Sequence, residues 1–113
     1  MSLEADRDGL DGDAIHLVVD ADGGLAGTCR LLIEHGVARL GRMAVDPASR
    51  GAGVGAALLR EADRVSVNAG ASLIRLHAQT YVRGVYDRAG YEVRGKPFLE
   101  EGIEHVAMEK RVA

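Results

Sequence analysis

The residues with the clearest chemical meaning are the three alternating glycines of the segment Arg50-Gly51-Ala52-Gly53-Val54-Gly55. The segment lies between a strand-like run, Leu40 to Val45, and a stretch with the apolar spacing of an amphipathic helix. Glycine permits sharp turns and close approach of the main chain to a ligand, and the first N–H groups of a helix have no acceptor within it. This arrangement predicts an anion site, and a phosphate is its natural occupant.

Composition limits what kind of protein can present this segment. The chain has 113 residues, 47% of them hydrophobic, which is enough for one domain with one core. Its net charge of -3 argues against non-specific nucleic-acid binding. The single cysteine, Cys29, excludes an intramolecular disulfide, and no Cys/His cluster predicts a metal. With no run long enough to span a membrane and no signal peptide, we expect a cytoplasmic protein without membrane or metal partners.

The first half of the chain is predicted to be mainly β. We expect residues 1–13, rich in Asp and Gly, to form a loosely ordered lead-in, and residues 14–113 to form a single domain. Three β-prone runs with short turn signals between them predict an antiparallel meander, with Gly27 as a bulge in the second. The runs are Ile15–Val19, Leu25–Glu34 and Val37–Val45.

The second half alternates between the two periodicities. Apolar residues at spacings of three and four predict a helix of about 16 residues from Val54, ended by Gly70. Because a strand follows at Leu73–Ala78, the two strands joined by this helix should pair in parallel. We expect a second helix over Tyr81–Ala89 and a final β unit, Tyr91–Arg94 and Ile103–Arg111, with a turn at Gly95–Pro97 and an ambiguous Phe98–Gly102. The predicted fold class is α/β (α+β), a mixed, mostly antiparallel sheet with a central parallel strand-helix-strand.

Three motifs together resemble the GNAT N-acetyltransferases. They are Met43-Ala44-Val45-Asp46-Pro47, then Arg50-x-x-Gly53-x-Gly55 opening a helix, then Val85-Tyr86-Asp87-Arg88-Ala89-Gly90-Tyr91. His77-Ala78-Gln79 and the tail from Phe98 to Met108 are similar to the ElaA-like branch of that superfamily. The resemblance covers residue 14 to the C-terminus, and order and spacing both agree with it.

The resemblance implies a function and a site. The protein would transfer an acetyl group from acetyl-CoA to a primary amine, on a small molecule or a peptide, by direct attack in a ternary complex. Met43, Ala44 and Val45 would bind the pantetheine arm through the main chain. The pyrophosphate would lie against Arg50, Gly51, Ala52, Gly53, Val54, Gly55 and Ala56. Tyr86 would be the general acid that protonates the leaving thiolate.

The chain departs from the family pattern in two places. The strand before the glycines carries Arg39 and Arg42 where many relatives have a catalytic Glu, so the general base is unassigned. Glu34, His35, His77, Glu100 and His105 are its candidates. The strand and two helices that normally begin the fold are expected to be absent, which would open the acceptor site and expose apolar sheet surface. A homodimer would cover that surface.

Each interpretation has a plainer alternative. The same fold could be a non-catalytic acyl-CoA-binding or regulatory module, or a nearly inactive relative that keeps only the cofactor half. Gly51 to Ala56 also satisfies a dinucleotide-binding fingerprint, but residues 46–50 separate it from its strand. The glycines could form a plain flexible loop. Tyr86 could be a core aromatic, Cys29 a buried small hydrophobe, the histidines structural, and Glu100-Glu101 a solvated loop.

Overall fold

The computed structural model describes residues 2–8, 14–21, 24–47 and 53–113, with seven strands and two helices in these ranges. A short 3-10 turn, Thr80–Val82, leads directly into the second helix. The strands are β1 Ser2–Asp8, β2 Ala14–Ala21, β3 Gly24–Glu34, β4 Val37–Val45, β5 Leu73–Gln79, β6 Glu92–Glu100 and β7 Ile103–Arg111. The helices are α1 Val54–Asn68 and α2 Arg83–Arg88.

All seven strands belong to one sheet, in the order β1-β2-β3-β4-β5-β7-β6. Neighbouring strands are antiparallel except for β4 and β5, which are parallel and joined by α1. The predicted mixed α+β fold with its central parallel unit is therefore confirmed. The dinucleotide-binding alternative is wrong, since that fold needs an open, mostly parallel sheet.

The core lies between the sheet and α1, as the apolar spacing of the helix predicts. Val54, Leu58 and Ala62 are fully buried, and Gly70 ends the helix with a φ of 92°. Beneath the helix there is no room for a side chain at position 27 of β3, because a Cβ atom on Gly27 would lie 2.7 Å from the Val54 Cγ1 atom. In the part of the chain that the structure describes, no helix combines the length and apolarity needed to cross a membrane.

The expectation of a loose lead-in is wrong for Ser2–Asp8, which forms β1 at the edge of the sheet. Its residues pair in antiparallel register with β2, from Ser2 with Asp20 to Asp8 with Ala14. Main-chain pairing with the free edge of β2 does not depend on apolar side chains, and charged residues are usual in edge strands. Ser2–Asp8 is therefore part of the sheet, whereas the rest of the expected lead-in, residues 9–13, lies outside the described residues.

The predicted turn at Gly95–Pro97 is also wrong, because β6 continues through it to Glu100. The register against β7 shifts between Arg94 and Phe98, which marks an irregularity of the bulge type, and Gly95 adopts a φ of 82°. An edge strand accommodates a proline in such a bulge, since no ladder hydrogen bond is lost. The reversal instead occurs at Glu101-Gly102, so the ambiguous segment is the end of a strand and a tight turn.

Candidate active site

The site begins at an irregularity in β4. The register between β3 and β4 shifts between Thr28 and Arg30, so Arg42 and Met43 stand opposite the single residue Cys29. Arg42 has a φ of 53°, a left-handed conformation that is uncommon for a residue with a side chain. Bulges of this kind bend a strand and end its pairing.

Next to the bulge, β4 and β5 separate. They pair only from Val37 with Leu73 to Arg39 with Arg75. Beyond that point β4 continues beside β3 and β5 continues beside β7, and no further pair joins them. The main chain of residues 40–45 therefore faces an opening where an extended ligand could bind as an added strand.

Helix α1 begins at the edge of this opening. Gly53 is its N-cap, in the left-handed region with φ 81° and ψ 12°, and no side chain caps the first turn. That turn contains no acidic residue. The first N–H groups of the helix and its dipole therefore favour an anion at this position.

A cavity of about 1030 Å³ occupies the space between β4, α1 and α2. This is at the upper end of the usual range for small-molecule sites. Seven of the predicted cofactor residues line it: Met43, Ala44, Val45, Gly53, Val54, Gly55 and Ala56. The other three, Arg50, Gly51 and Ala52, lie outside the described residues.

Tyr86 of α2 lies on the wall of the same cavity and is mostly buried. Its ring packs edge-on against Tyr91, with ring centroids 5.9 Å apart. Burial, with a smaller contribution from nearby Cys29, raises the pKa of Tyr86 above its usual value. A phenol in this position stays protonated at neutral pH and can donate a proton.

The predicted second helix is shorter than expected, and its apolar face is not all core. The 3-10 turn and α2 replace the single helix expected over residues 81–89. Val82 and Val85, predicted to pack with Tyr86, are 37% and 40% exposed and line the large cavity. Their helical spacing indicated core packing, but it equally suits an apolar cavity wall.

A second cavity, of about 250 Å³, opens between β4, β5 and β7. Arg42, one of the two arginines of β4 without an assigned role, lines it, together with His77 and His105. Four residues line both cavities, namely Met43, Gln79, Val82 and Tyr86. The two cavities therefore meet at Tyr86, in the opening between β4 and β5.

The five candidates for the general base fall into two groups. Glu34 and His35 lie at the turn before β4, where Glu34 pairs with Val37, which is about six residues or roughly 20 Å along the strand from Met43. That distance separates both from the site. His77, Glu100 and His105 form a cluster beside the second cavity, so Glu100 is not simply part of a solvated loop.

Sequence reasoning missed an ion pair on the wall of the large cavity. Lys110 Nζ lies 2.5 Å from an Asp63 carboxylate oxygen. The two residues are 47 positions apart, and no local sequence pattern indicates that they are in contact. Cys29 is buried, and burial raises the pKa of its thiol to about 12. Among the described residues no cluster of His, Cys, Asp and Glu could hold a metal ion.

Comparisons with known proteins agree with this architecture. The family model of the GNAT acetyltransferase domain matches residues 2–112. YjcF of Bacillus subtilis, an uncharacterized N-acetyltransferase, is 33% identical over 108 residues, covering 95% of this chain and 77% of YjcF. The acyl-CoA N-acyltransferase of Pseudomonas aeruginosa is 30% identical with a TM-score of 0.78, covering 88% of this chain and 69% of that one.

Escherichia coli ElaA superposes with a TM-score of 0.78 at 23% identity, covering 88% of this chain and 69% of ElaA. At that identity the likeness concerns the fold alone. The family match extends over almost the whole chain and includes β1, although the sequence pattern predicts that the domain begins only at residue 14. The chain belongs to the GNAT acetyltransferase family, as the three motifs around the opening between β4 and β5 predicted.

Proposed function

We propose that this protein transfers an acetyl group from acetyl-CoA to a primary amine by direct attack within a ternary complex. The observation that carries the proposal is the meeting of two cavities at Tyr86. The larger cavity has room for the pantetheine arm and the diphosphate, and the smaller one for the reacting end of an amine. Such an arrangement holds both reactants together and needs no acyl-enzyme.

The residues around the large cavity fit acetyl-CoA. Met43 to Val45 pair with no strand on the side of β4 that faces β5, so the main chain there suits the amide groups of pantetheine, and the uncapped first turn of α1 suits a diphosphate. Gly55 supports this fit, because it leaves the main chain open to close approach. Arg50, Gly51 and Ala52 complete the predicted cradle as a sequence-based expectation.

Tyr86 is proposed as the general acid. The thiol of CoA resembles cysteine and titrates near pH 8.5, so the CoA that leaves is mostly the protonated thiol at neutral pH. Because burial raises the pKa of the Tyr86 phenol, the phenol still carries its proton at neutral pH before the reaction, and the phenolate formed by donation readily takes a proton back. Its position between the cavities suits a donor to the sulfur as the bond between carbon and sulfur breaks.

The main alternative is a module of the same fold that binds acyl-CoA without turnover. The second cavity favours the enzyme, since a module that only binds the cofactor needs no space beyond Tyr86. The amine could belong to a small molecule or a peptide. A homodimer and a cytoplasmic location stay predictions.

Thiol release and calorimetry separate the two hypotheses. Acetyl-CoA is titrated into the protein, and free CoA is then followed with a thiol reagent across polyamine, aminoglycoside and lysine-peptide acceptors. The enzyme hypothesis predicts turnover with at least one amine. Binding of acetyl-CoA without turnover on any amine favours the module.

Replacing Tyr86 by Phe tests its role. Loss of a general acid should lower kcat by about 10²- to 10⁴-fold and leave acetyl-CoA affinity nearly unchanged. Tyr91→Phe is the matched control, because among the described residues the buried Tyr91 hydroxyl has no hydrogen-bond partner and Tyr91 lines neither cavity. A Tyr86→Phe variant as active as Tyr91→Phe would remove Tyr86 from catalysis.

A further inference from the structure

We propose that His105 is the general base that takes the proton from the acceptor amine, and that Glu100 and His77 position it. The inference rests on the proposed function and adds the proton acceptor that the sequence left unassigned. Of the five candidates, only His77 and His105 line the second cavity. His105 is buried, whereas the His77 side chain is 55% exposed.

The position of His105 relative to Tyr86 suits the reaction. The buried residues Leu76 and Ala78 alternate along β5 with His77 and Gln79, and Gln79 pairs with His105 of β7. Residues that alternate along a strand lie on opposite faces of the sheet. Leu76 and Ala78 belong to the same core cluster as Tyr86 of α2, so His105 borders the opening between β4 and β5 from the opposite face of the sheet. An amine that enters beside His105 meets its base on one side of the thioester and the general acid on the other.

The hydrogen bonds of His105 identify the nitrogen that can accept a proton. Nδ1 lies 2.7 Å from the main-chain oxygen of Ile103. Since a carbonyl oxygen can only accept, Nδ1 donates, and in the neutral ring the lone pair is on Nε2. The structure thus holds His105 in the tautomer that a base at Nε2 requires.

Glu100 is placed to stabilise the imidazolium. One of its carboxylate oxygens lies 3.5 Å from His105 Nε2, which is too far for a good hydrogen bond. This separation is expected, because in this tautomer both atoms are acceptors and neither carries a hydrogen. The other is 3.0 Å from His77 Nδ1. Once Nε2 gains a proton, it becomes a donor beside a carboxylate, and a charge-assisted hydrogen bond can form.

An aromatic ring fixes the orientation of this pair. Phe98 of β6 stacks on the His105 ring, with centroids 6.1 Å apart and planes inclined by 22°. The same Phe98 ring packs edge-on against His77, with centroids 4.9 Å apart. The base and its positioning residues are therefore held by β5, β6 and β7 together.

The proton balance of the reaction closes with these groups. The ammonium gives one proton to His105 Nε2, and the amine nitrogen then forms a bond to the acetyl carbon. As the bond between carbon and sulfur breaks, the sulfur takes the Tyr86 proton. The second amine proton restores the Tyr86 phenol as the amide forms, and His105 passes its proton to water.

The test replaces His105 by Asn, which retains a donor to the Ile103 carbonyl and removes the basic nitrogen. Without the base, the rate depends on the small fraction of free amine, which grows tenfold per pH unit up to the amine pKa of about 10.4 for a lysine-like acceptor. We therefore expect kcat/KM near pH 7 to fall by about 10²- to 10⁴-fold and the deficit to shrink as pH rises. Acetyl-CoA affinity by calorimetry should stay within about twofold of wild type, because His105 does not line the large cavity.

The other titratable and charged groups near His105 are Glu100 of β6, His77 of β5 and Arg42 of β4. Because Glu100 and His77 are proposed to position His105, the pH profiles of Glu100→Gln and His77→Gln are compared with that of His105→Asn. Both should lose less than His105→Asn. A His105→Asn deficit that is absent, or equal at every pH, would overturn the inference while leaving the proposed function intact. Failure of the wild type to acetylate any amine would overturn both. If His105→Asn does not fold, His105→Gln answers the same question.

Discussion

The contact between Gly27 and α1 gives a prediction whose size follows from the structure. Gly27→Ala places a Cβ atom 2.7 Å from Val54 Cγ1, 3.2 Å from Leu58 Cδ1 and 3.2 Å from the main-chain oxygen of Ala44. Val54 and Leu58 are fully buried, and a β-branched side chain in a helix has essentially one rotamer. The helix must therefore move away from the sheet by several tenths of an ångström.

Overpacking of this kind costs about 1–3 kcal/mol. Urea unfolding followed by circular dichroism should show that loss of free energy. Thermal unfolding should show a Tm that is lower by about 4 °C or more for each kcal/mol. Since Val54 begins α1, the same shift should weaken acetyl-CoA binding at the first turn. The control is Gly41→Ala, where an added Cβ meets nothing within 4 Å.

The double variant Gly27→Ala/Val54→Ala makes this reasoning refutable. Val54→Ala alone removes two methyl groups, leaves a cavity and destabilises the protein. Together the two changes should partly compensate, because the methyl added at Gly27 takes the space of Val54 Cγ1. We expect a coupling free energy of about 1 kcal/mol or more between the two positions. A Gly27→Ala cost below about 0.5 kcal/mol, or additive effects in the double variant, would refute the account of this contact.

Two further predictions concern a buried thiol and a half-buried ion pair. Burial raises the pKa of Cys29 from 9.0 to about 12, so between these pH values the thiol is ionised in the unfolded chain but not in the folded one. The free energy of unfolding should therefore fall as pH rises from 9.0 to about 12. Relative to Cys29→Ala, the wild-type free energy of unfolding should fall by up to about 1.4 kcal/mol per pH unit there; parallel urea titrations would contradict this. Lys110→Met leaves the Asp63 carboxylate without its ion pair and should cost roughly 1–3 kcal/mol by urea unfolding, whereas Arg75→Met, from an exposed pair with Glu109, should cost less than about 1.

The parts of the fold that sequence predicted well are those in which one local pattern dominates. The three- and four-residue spacing of Val54, Leu58 and Ala62 requires a buried helical face, and Gly70 ends that helix as predicted. The parallel pair followed from the length of this crossover. Seven of the ten predicted cofactor residues line one cavity because they flank a strand end and a helix start that meet in space.

The errors arose where pairing between distant segments decides the structure. The bulge predicted at Gly27 is present, since the register against β2 shifts between the pairs Val19–Gly27 and Asp20–Leu25, but the sequence did not indicate that Gly27 is needed beneath α1. The false turn at Gly95–Pro97 concealed the true register of β6 and β7, which pairs Phe98 with His105. The cluster of His105 with Glu100 was therefore invisible in the sequence.

The most direct test of the account is a crystal structure of the protein with acetyl-CoA. We predict the diphosphate on the N–H groups at the start of α1, the pantetheine arm along Met43 to Val45, and the thioester sulfur within hydrogen-bond reach of the Tyr86 hydroxyl, with the second cavity open on its far side. A thioester that lies outside the opening between β4 and β5, or a diphosphate held away from the first turn of α1, would contradict it.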